Sequence, residues 1–167
     1  MQPDMTLRAF TTADLPMMAE WLATPALQQW WGDPAEQLAL MAEDLDNPLM
    51  DQQIACLGGV PFGYVQSYPC AAWGAPQFSD MPDDARAVDT CIGVPQLLNQ
   101  GHGSAMLRLY AYTLLAAGAS AVVIDPDPSN ERAVRAYRRA GFQDIAIRAG
   151  EDGDQVLAMR FDPHSFW

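Results

Sequence analysis

The segment VPQLLNQGHGSAMLRLYAYTLLAAG (residues 94–118) sets a loop punctuated by Gly101 and Gly103 directly before a long run of helical composition. Two side-chain-free positions at a helix entrance let main-chain N–H groups approach an anion closely, with the positive end of the helix dipole behind them. Two common phosphate-binding designs are excluded by spacing. A dinucleotide fingerprint needs a third glycine where Met106 stands, and a P-loop needs a Gly-Lys-Ser/Thr ending that is absent. The anion must be identified from the rest of the chain.

Working outward, SAVVIDP (120–126) is a continuous apolar run and reads as a buried strand. PSNERAVRAYRRAGF (128–142) reads as a helix ended by Gly141 in a left-handed cap. FQDIAIRA and DQVLAMRF flank GEDGD as a closing hairpin. Upstream, ARAVDTCIGV (85–94) is a strand, and QQIACLGGVPFGYVQSY (52–68) is two strands about a turn at Gly58-Gly59. MTLRAF alternates as a short strand, followed by an amphipathic helix in TTADLPMMAEWLA with Thr12 as its N-cap. Asp33, Pro34 and Glu36 form a capping-box pattern opening a second helix. The Pro-, Gly- and Asp-rich residues 69–84 read as a surface loop. This order predicts an α/β (α+β) fold: one domain over residues 1–167, with a mixed, mostly antiparallel twisted sheet flanked by helices.

Composition narrows the functional classes. The 167 residues are 50% hydrophobic, enough for a real core, and no apolar run approaches the roughly 18 residues that cross a bilayer. The N-terminus has no secretory pattern, so a cytoplasmic location is expected. Cys56, Cys70 and Cys91 match no zinc spacing, so no metal is expected. Twenty-one acidic residues face nine basic ones, all arginine, for a net charge of −12. That surface repels nucleic acid and attracts polycations.

The NQGHGSA loop followed by VVIDPDPSNERAVRAYRRAGF resembles the acetyl-CoA-binding core of the GNAT N-acetyltransferases. The family's loop pattern falls on Leu98 to Gly103 and departs from it at Leu98, which removes a side-chain contact but not the backbone cradle. LRAFTTADLPMMAEWL, QQWWG, FGYVQSY, AVDTCIG and IDPDPSN are similar, in order and spacing, to the bacterial aminoglycoside 6'-N-acetyltransferases, which confer antibiotic resistance. Related enzymes acylate hydroxylated lysine in siderophore biosynthesis.

The resemblance answers the opening question with the diphosphate of coenzyme A, held by backbone amides of Gln100, Gly101, His102, Gly103 and Ser104. The solitary His102 side chain reads as filler. Cys91, Ile92 and Gly93 would lie along the cofactor, and an N–H near Cys91 would steady the developing oxyanion. Asn130 would bond the pantetheine arm; as a residue type it is equally a helix cap. Tyr137 would protonate the leaving thiolate, or else simply pack in the core.

Attack on a thioester needs a neutral amine, and Asp89 matches the family's acidic residue. Carboxylate and ammonium differ by roughly 6.5 pKa units, about 9 kcal/mol against direct transfer, so Asp89 is a poor base unless burial raises its pKa; it is expected to bind and orient the ammonium, then take the proton directly or through water. Asp125, at the end of its strand, and Asp80, in the 69–84 loop, are further ammonium-binding candidates. Trp30 and Trp31 offer flat faces to a sugar ring or cation, or else pack between helices.

The expected activity is acetyl-CoA-dependent N-acetylation of a polycationic small-molecule amine, an aminoglycoside foremost, by a monomer or homodimer. A siderophore intermediate, a protein N-terminus, or a non-catalytic acyl-CoA sensor are the alternatives. Neither nucleic acid nor membrane is expected as a partner.

Overall fold

Positive φ at Gly58 (+55°) and Gly59 (+82°) folds the chain back on itself between β2 (Asp51–Leu57) and β3 (Val60–Pro69). Both turn residues are left-handed, the geometry that matches the twist of a tight hairpin. A computed structural model describes residues 3–165. Its seven strands, which include β1 (Met5–Ala9), β4 (Arg86–Ile92), β5 (Val122–Ile124), β6 (Phe142–Ala149) and β7 (Gln155–Phe161), form one sheet in the order β1-β2-β3-β4-β5-β7-β6. Five α-helices accompany it, of which α4 (His102–Ala116) follows the glycine loop. The pairs β1–β2, β5–β7 and β6–β7 are antiparallel, and β4–β5 is parallel. The predicted mixed α/β class is therefore observed.

The chain divides into two compact units. One comprises the residues up to Gln66 together with Thr90–Met106. In it β1 (Met5–Ala9) pairs with β2 from Met5↔Leu57 to Ala9↔Gln53. Three helices, α1 (Leu15–Leu22), α2 (Pro25–Trp31) and α3 (Pro34–Asp44), supply one side of its core. Met18, Trp21, Leu22, Leu27 and Met41 pack with Ile54, Tyr64 and Cys91. The Asp33 carboxylate accepts from the Glu36 N–H at 2.9 Å, the cap expected of α3. Thr11 caps a 3-10 turn at Thr12–Asp14, and the N-cap of α1 is Asp14 instead of the expected Thr12, which lies inside that turn. Helix α2 was not anticipated; at seven residues it is too short to show a period.

The other unit comprises Ser67–Asp89 and the chain from Leu107 onward. Its strands are β5 (Val122–Ile124), β6 (Phe142–Ala149) and β7 (Gln155–Phe161). Helix α5 (Glu131–Ala140) ends at Gly141 (φ +114°), whose N–H bonds the Arg138 carbonyl at 3.1 Å. The hairpin β6–β7 runs from Phe142↔Phe161 to Ala149↔Gln155 with a bulge between Asp144 and Ala146. Residues 69–84, expected as a surface loop, instead send part of their length into the core. Ala75 and Phe78 are buried with Cys70, Ala87, Val123 and Ala158, and a 3-10 turn forms at Pro76–Phe78.

Candidate active site

The carboxylates expected to meet an amine come together through strand register. The parallel β4–β5 pairing spans Arg86↔Val122 and Ala87↔Val123. Two residues further along both strands bring Asp89 level with Asp125, just past the end of β5. Parallel strands put level residues on the same face of a sheet, so the two carboxylates face the same way. Burial, then the neighbouring Asp89 charge, pushes the Asp125 carboxyl up to about 7. The Glu151 carboxylate, in the turn after β6, adds to the effect, while a bond from the Gln77 amide opposes it. Tyr68, near the end of β3, is driven well above the usual phenol range by burial and then by the Asp89, Asp125 and Glu151 charges. Cys70 is raised to about 11, by burial first and Asp125 second, so it stays a thiol. Three acidic side chains and a phenol thus share one low-dielectric neighbourhood.

That neighbourhood has a built wall. Gln77, 2% exposed, donates through Nε2 to Asp125 Oδ2 at 2.8 Å. Arg148 of β6 donates to the Gln77 carbonyl at 2.8 Å and to both Asp80 oxygens at 2.8 and 3.1 Å. Asp80, expected to meet substrate, therefore faces a cation of the protein itself. Trp73 stands edge-on to Tyr68, centroids 5.1 Å apart, with 49% of its surface exposed. Trp73, Gln77, Arg148, Glu151 and Tyr68 were not singled out from sequence. The partners of Gln77 and Arg148 lie far along the chain, and no local pattern marks any of the five.

In the other unit the glycine turn has the expected features. Gly101 adopts φ +83°, and the preceding Asn99 is also left-handed at +62°. Helix α4 starts at His102, two residues before Ser104, and its first bond runs from the Ala105 N–H to the Gly101 carbonyl at 3.1 Å. The amides of Gly101, His102 and Gly103 thus precede the helical ladder, where N–H groups have no intrahelical acceptor. A methyl group at Gly101 would meet nothing within 4 Å, and one at Gly103 would lie 3.4 Å from Ile92 Cδ1. The missing side chains leave an open cradle that fits a diphosphate. The Gln100 side chain folds back onto the Gln96 carbonyl at 2.6 Å, and the His102 ring packs against Phe62.

The remaining predicted residues divide. Cys91 is buried, Ile92 is half-buried, and Gly93 is buried because the Trp21 ring lies flat against it; a methyl there would fall 1.9 Å from a ring carbon. Asn130 Oδ1 accepts from the Ala133 N–H at 3.3 Å, so the residue caps α5. That bond uses the carbonyl oxygen, and Nδ2 is a separate donor. Tyr137 is half-buried on α5. Trp31 stands edge-on to Tyr64 at 6.3 Å against the core, whereas Trp30 is 40% exposed. Among the described residues no three His, Cys, Asp or Glu side chains are placed to hold a metal ion. No described helix is long and apolar enough to cross a membrane.

An amide-lined turn at the mouth of a helix and a pair of half-buried carboxylates are features that acyl-group transferases acting on amines use. The chain belongs to the acetyltransferase (GNAT) domain family, whose model matches residues 11–148. Over 165 residues it is 32% identical to the aminoglycoside N(6')-acetyltransferase type 1 of Klebsiella pneumoniae, across 93% of this chain and 82% of that protein. The Serratia marcescens protein of the same name matches equally. Two solved structures of AAC(6')-Ib superpose with a TM-score of 0.84. One, in complex with Parmomycin and acetyl-CoA, is 29% identical and covers 98% of this chain and 96% of its own. The other, in complex with coenzyme A and kanamycin, is 28% identical over 98% and 97%.

Proposed function

We propose that this acetyltransferase moves the acetyl group of acetyl-CoA to a primary amine of a polycationic small molecule, the 6'-amine of an aminoglycoside foremost. The observation that carries the reading is the Asp89–Asp125 pair, level on adjacent parallel strands, with the Asp125 carboxyl near 7. A carboxyl at that value narrows the gap to an ordinary ammonium from roughly 6.5 units to about 3.4, or about 5 kcal/mol. Two interacting carboxylates titrate as a unit. The pair holds the ammonium by charge, orients it, and takes its proton as the nitrogen attacks. Asp89, expected as the base with Asp125 as a further ammonium contact, shares the proton transfer with Asp125.

The other roles follow the chemistry of the step. The backbone amides of the turn from Gln100 to Ser104 hold the diphosphate of the co-substrate against the α4 dipole. Asn130 Nδ2 donates to its pantetheine arm. The main chain at Cys91 to Gly93 supplies an N–H where charge builds on the carbonyl oxygen. Tyr137 protonates the departing thiolate. Glu151 adds a third carboxylate for a polycation, and exposed Trp73 offers it an aromatic face.

The test is release of free thiol from acetyl-CoA across a panel of kanamycin-type aminoglycosides, linear polyamines, hydroxylated lysine and N-terminal peptides. Turnover fastest with the aminoglycosides, with the acetyl group on the 6'-nitrogen by NMR, supports the reading. Turnover confined to hydroxylated lysine or peptides overturns the acceptor. No turnover at all, with acetyl-CoA still raising the melting temperature, makes the protein an acyl-CoA sensor.

A further inference from the structure

Gln77 is an odd residue to find 2% exposed. One end of its amide bonds Asp125, but Oε1 is buried with no hydrogen-bond partner. A half-satisfied buried amide is unfavourable, so something else must keep the Pro76–Phe78 turn in place. Phe78 anchors one side in the core. The other anchor is Arg148, which reaches the main-chain carbonyl of Gln77 itself at 2.8 Å. We infer that Arg148 is a positioning residue whose guanidinium fixes the Pro76–Phe78 turn so that the Gln77 amide holds and orients the Asp125 carboxylate.

The geometry requires a fork. One nitrogen, Nη1, serves both the Gln77 carbonyl and Asp80, while Nη2 takes the second Asp80 oxygen. Asp80 completes the guanidinium's bonding and holds it over the carbonyl; a lysine has a point charge and no fixed fork. An exposed ion pair alone contributes little, and the Asp80 side chain is 53% exposed. The carbonyl bond is what makes the pair more than a surface bridge. The inference rests on the reading of Asp125 as an acceptor-binding carboxylate. It extends that reading from the groups that touch the amine to the clamp that aims one of them.

The groups acting on Asp125 are Asp89 from β4, Glu151 from the turn after β6, and Gln77 from the 3-10 turn, with Tyr68 and Cys70 at the end of β3. Only the Gln77 bond among these side chains favours the ionised form. Losing its alignment must therefore raise the Asp125 titration midpoint.

The experiment is a carbon-13 carboxyl NMR titration of Asp125 in the full-length protein without substrates, for wild type, Q77L, R148M, R148K and the R148M/Q77L double variant. Q77L and R148M should each raise the midpoint by about one pH unit, and the double variant no further than Q77L. R148K keeps the charge but loses the fork, so it should move most of the way to the R148M value; it also serves if R148M does not fold. A wild-type midpoint in R148K or R148M beside a shifted Q77L overturns the clamp, and so do additive shifts in the double variant. In turnover, R148K should raise the acceptor KM about tenfold and leave the acetyl-CoA KM unchanged. If the midpoints move as expected but no amine is acetylated by any form, the functional reading fails and the clamp stands.

Discussion

Asp125 opposes its own ionisation, and that shows in stability. Its folded pKa, raised to about 7 by burial and then by Asp89, lies well above the usual carboxylate range. Between about pH 4 and 7 the folded chain holds a proton there that the unfolded chain has released, so stability falls as pH rises through that window. Replacing Asp125 by Asn should leave stability unchanged at pH 4 and raise it by on the order of 2–4 kcal/mol at pH 8, measured by urea melts. Equal stability of the two proteins at pH 8 would show that Asp125 ionises without strain. Asp14 has the opposite sign: bonded by Arg8 at 2.8 and 2.9 Å, it is held below its usual range and loses its contribution as pH falls through that lowered value. Asp89 was singled out because it matches the acidic residue of the resembled family, and Asp125 because it follows an apolar run that reads as a strand. Gln77 and Arg148 were not, since they meet across 71 residues and Gln77 lies in a stretch without periodicity.

At the scale of elements, the two glycines flanking the loop before α4 do different work. Gly103 has room for a methyl group in the protein, with its nearest neighbour, Ile92 Cδ1, at 3.4 Å. Gly103→Ala should therefore fold with a melting temperature within a few degrees of wild type, yet bind acetyl-CoA at least about tenfold more weakly by calorimetry. Undiminished affinity would remove the turn from cofactor binding. Gly93→Ala is the contrast, because its methyl would fall 1.9 Å from the Trp21 ring. It should cost about 3 kcal/mol or more and lower the melting temperature by about 10 °C. The helix entrance was readable from the glycines before a helical run, whereas its ligand came only from the resemblance to a family. The contact that demands Gly93 was invisible, because it joins α1 to a residue some 70 positions later.

For the whole molecule, the net charge of −12 acts on substrates before any contact forms. A polycationic acceptor is drawn in and the anionic co-substrate is opposed, and both effects fade as the Debye length shrinks to about 8–10 Å near 0.1 M salt. Raising ionic strength tenfold should increase the KM of an aminoglycoside several-fold and leave that of a singly charged amine nearly unchanged. Parallel changes for both would mean the surface charge serves solubility alone. The mixed sheet was legible because hairpin turns and capped helices punctuate nearly every element. Its strand order was not, since β7 inserts between β5 and β6 through long-range pairing.

The acetyl-transfer account rests most heavily on Asp89 and Asp125 acting together on the amine. The direct measurement is kcat/KM for an aminoglycoside acceptor against pH, in wild type and Asp125→Asn. The paired carboxylates predict a wild-type profile whose acidic limb bends near pH 7, and a variant reduced about a hundredfold with that bend gone. A variant keeping the same bend and most of the rate would contradict them.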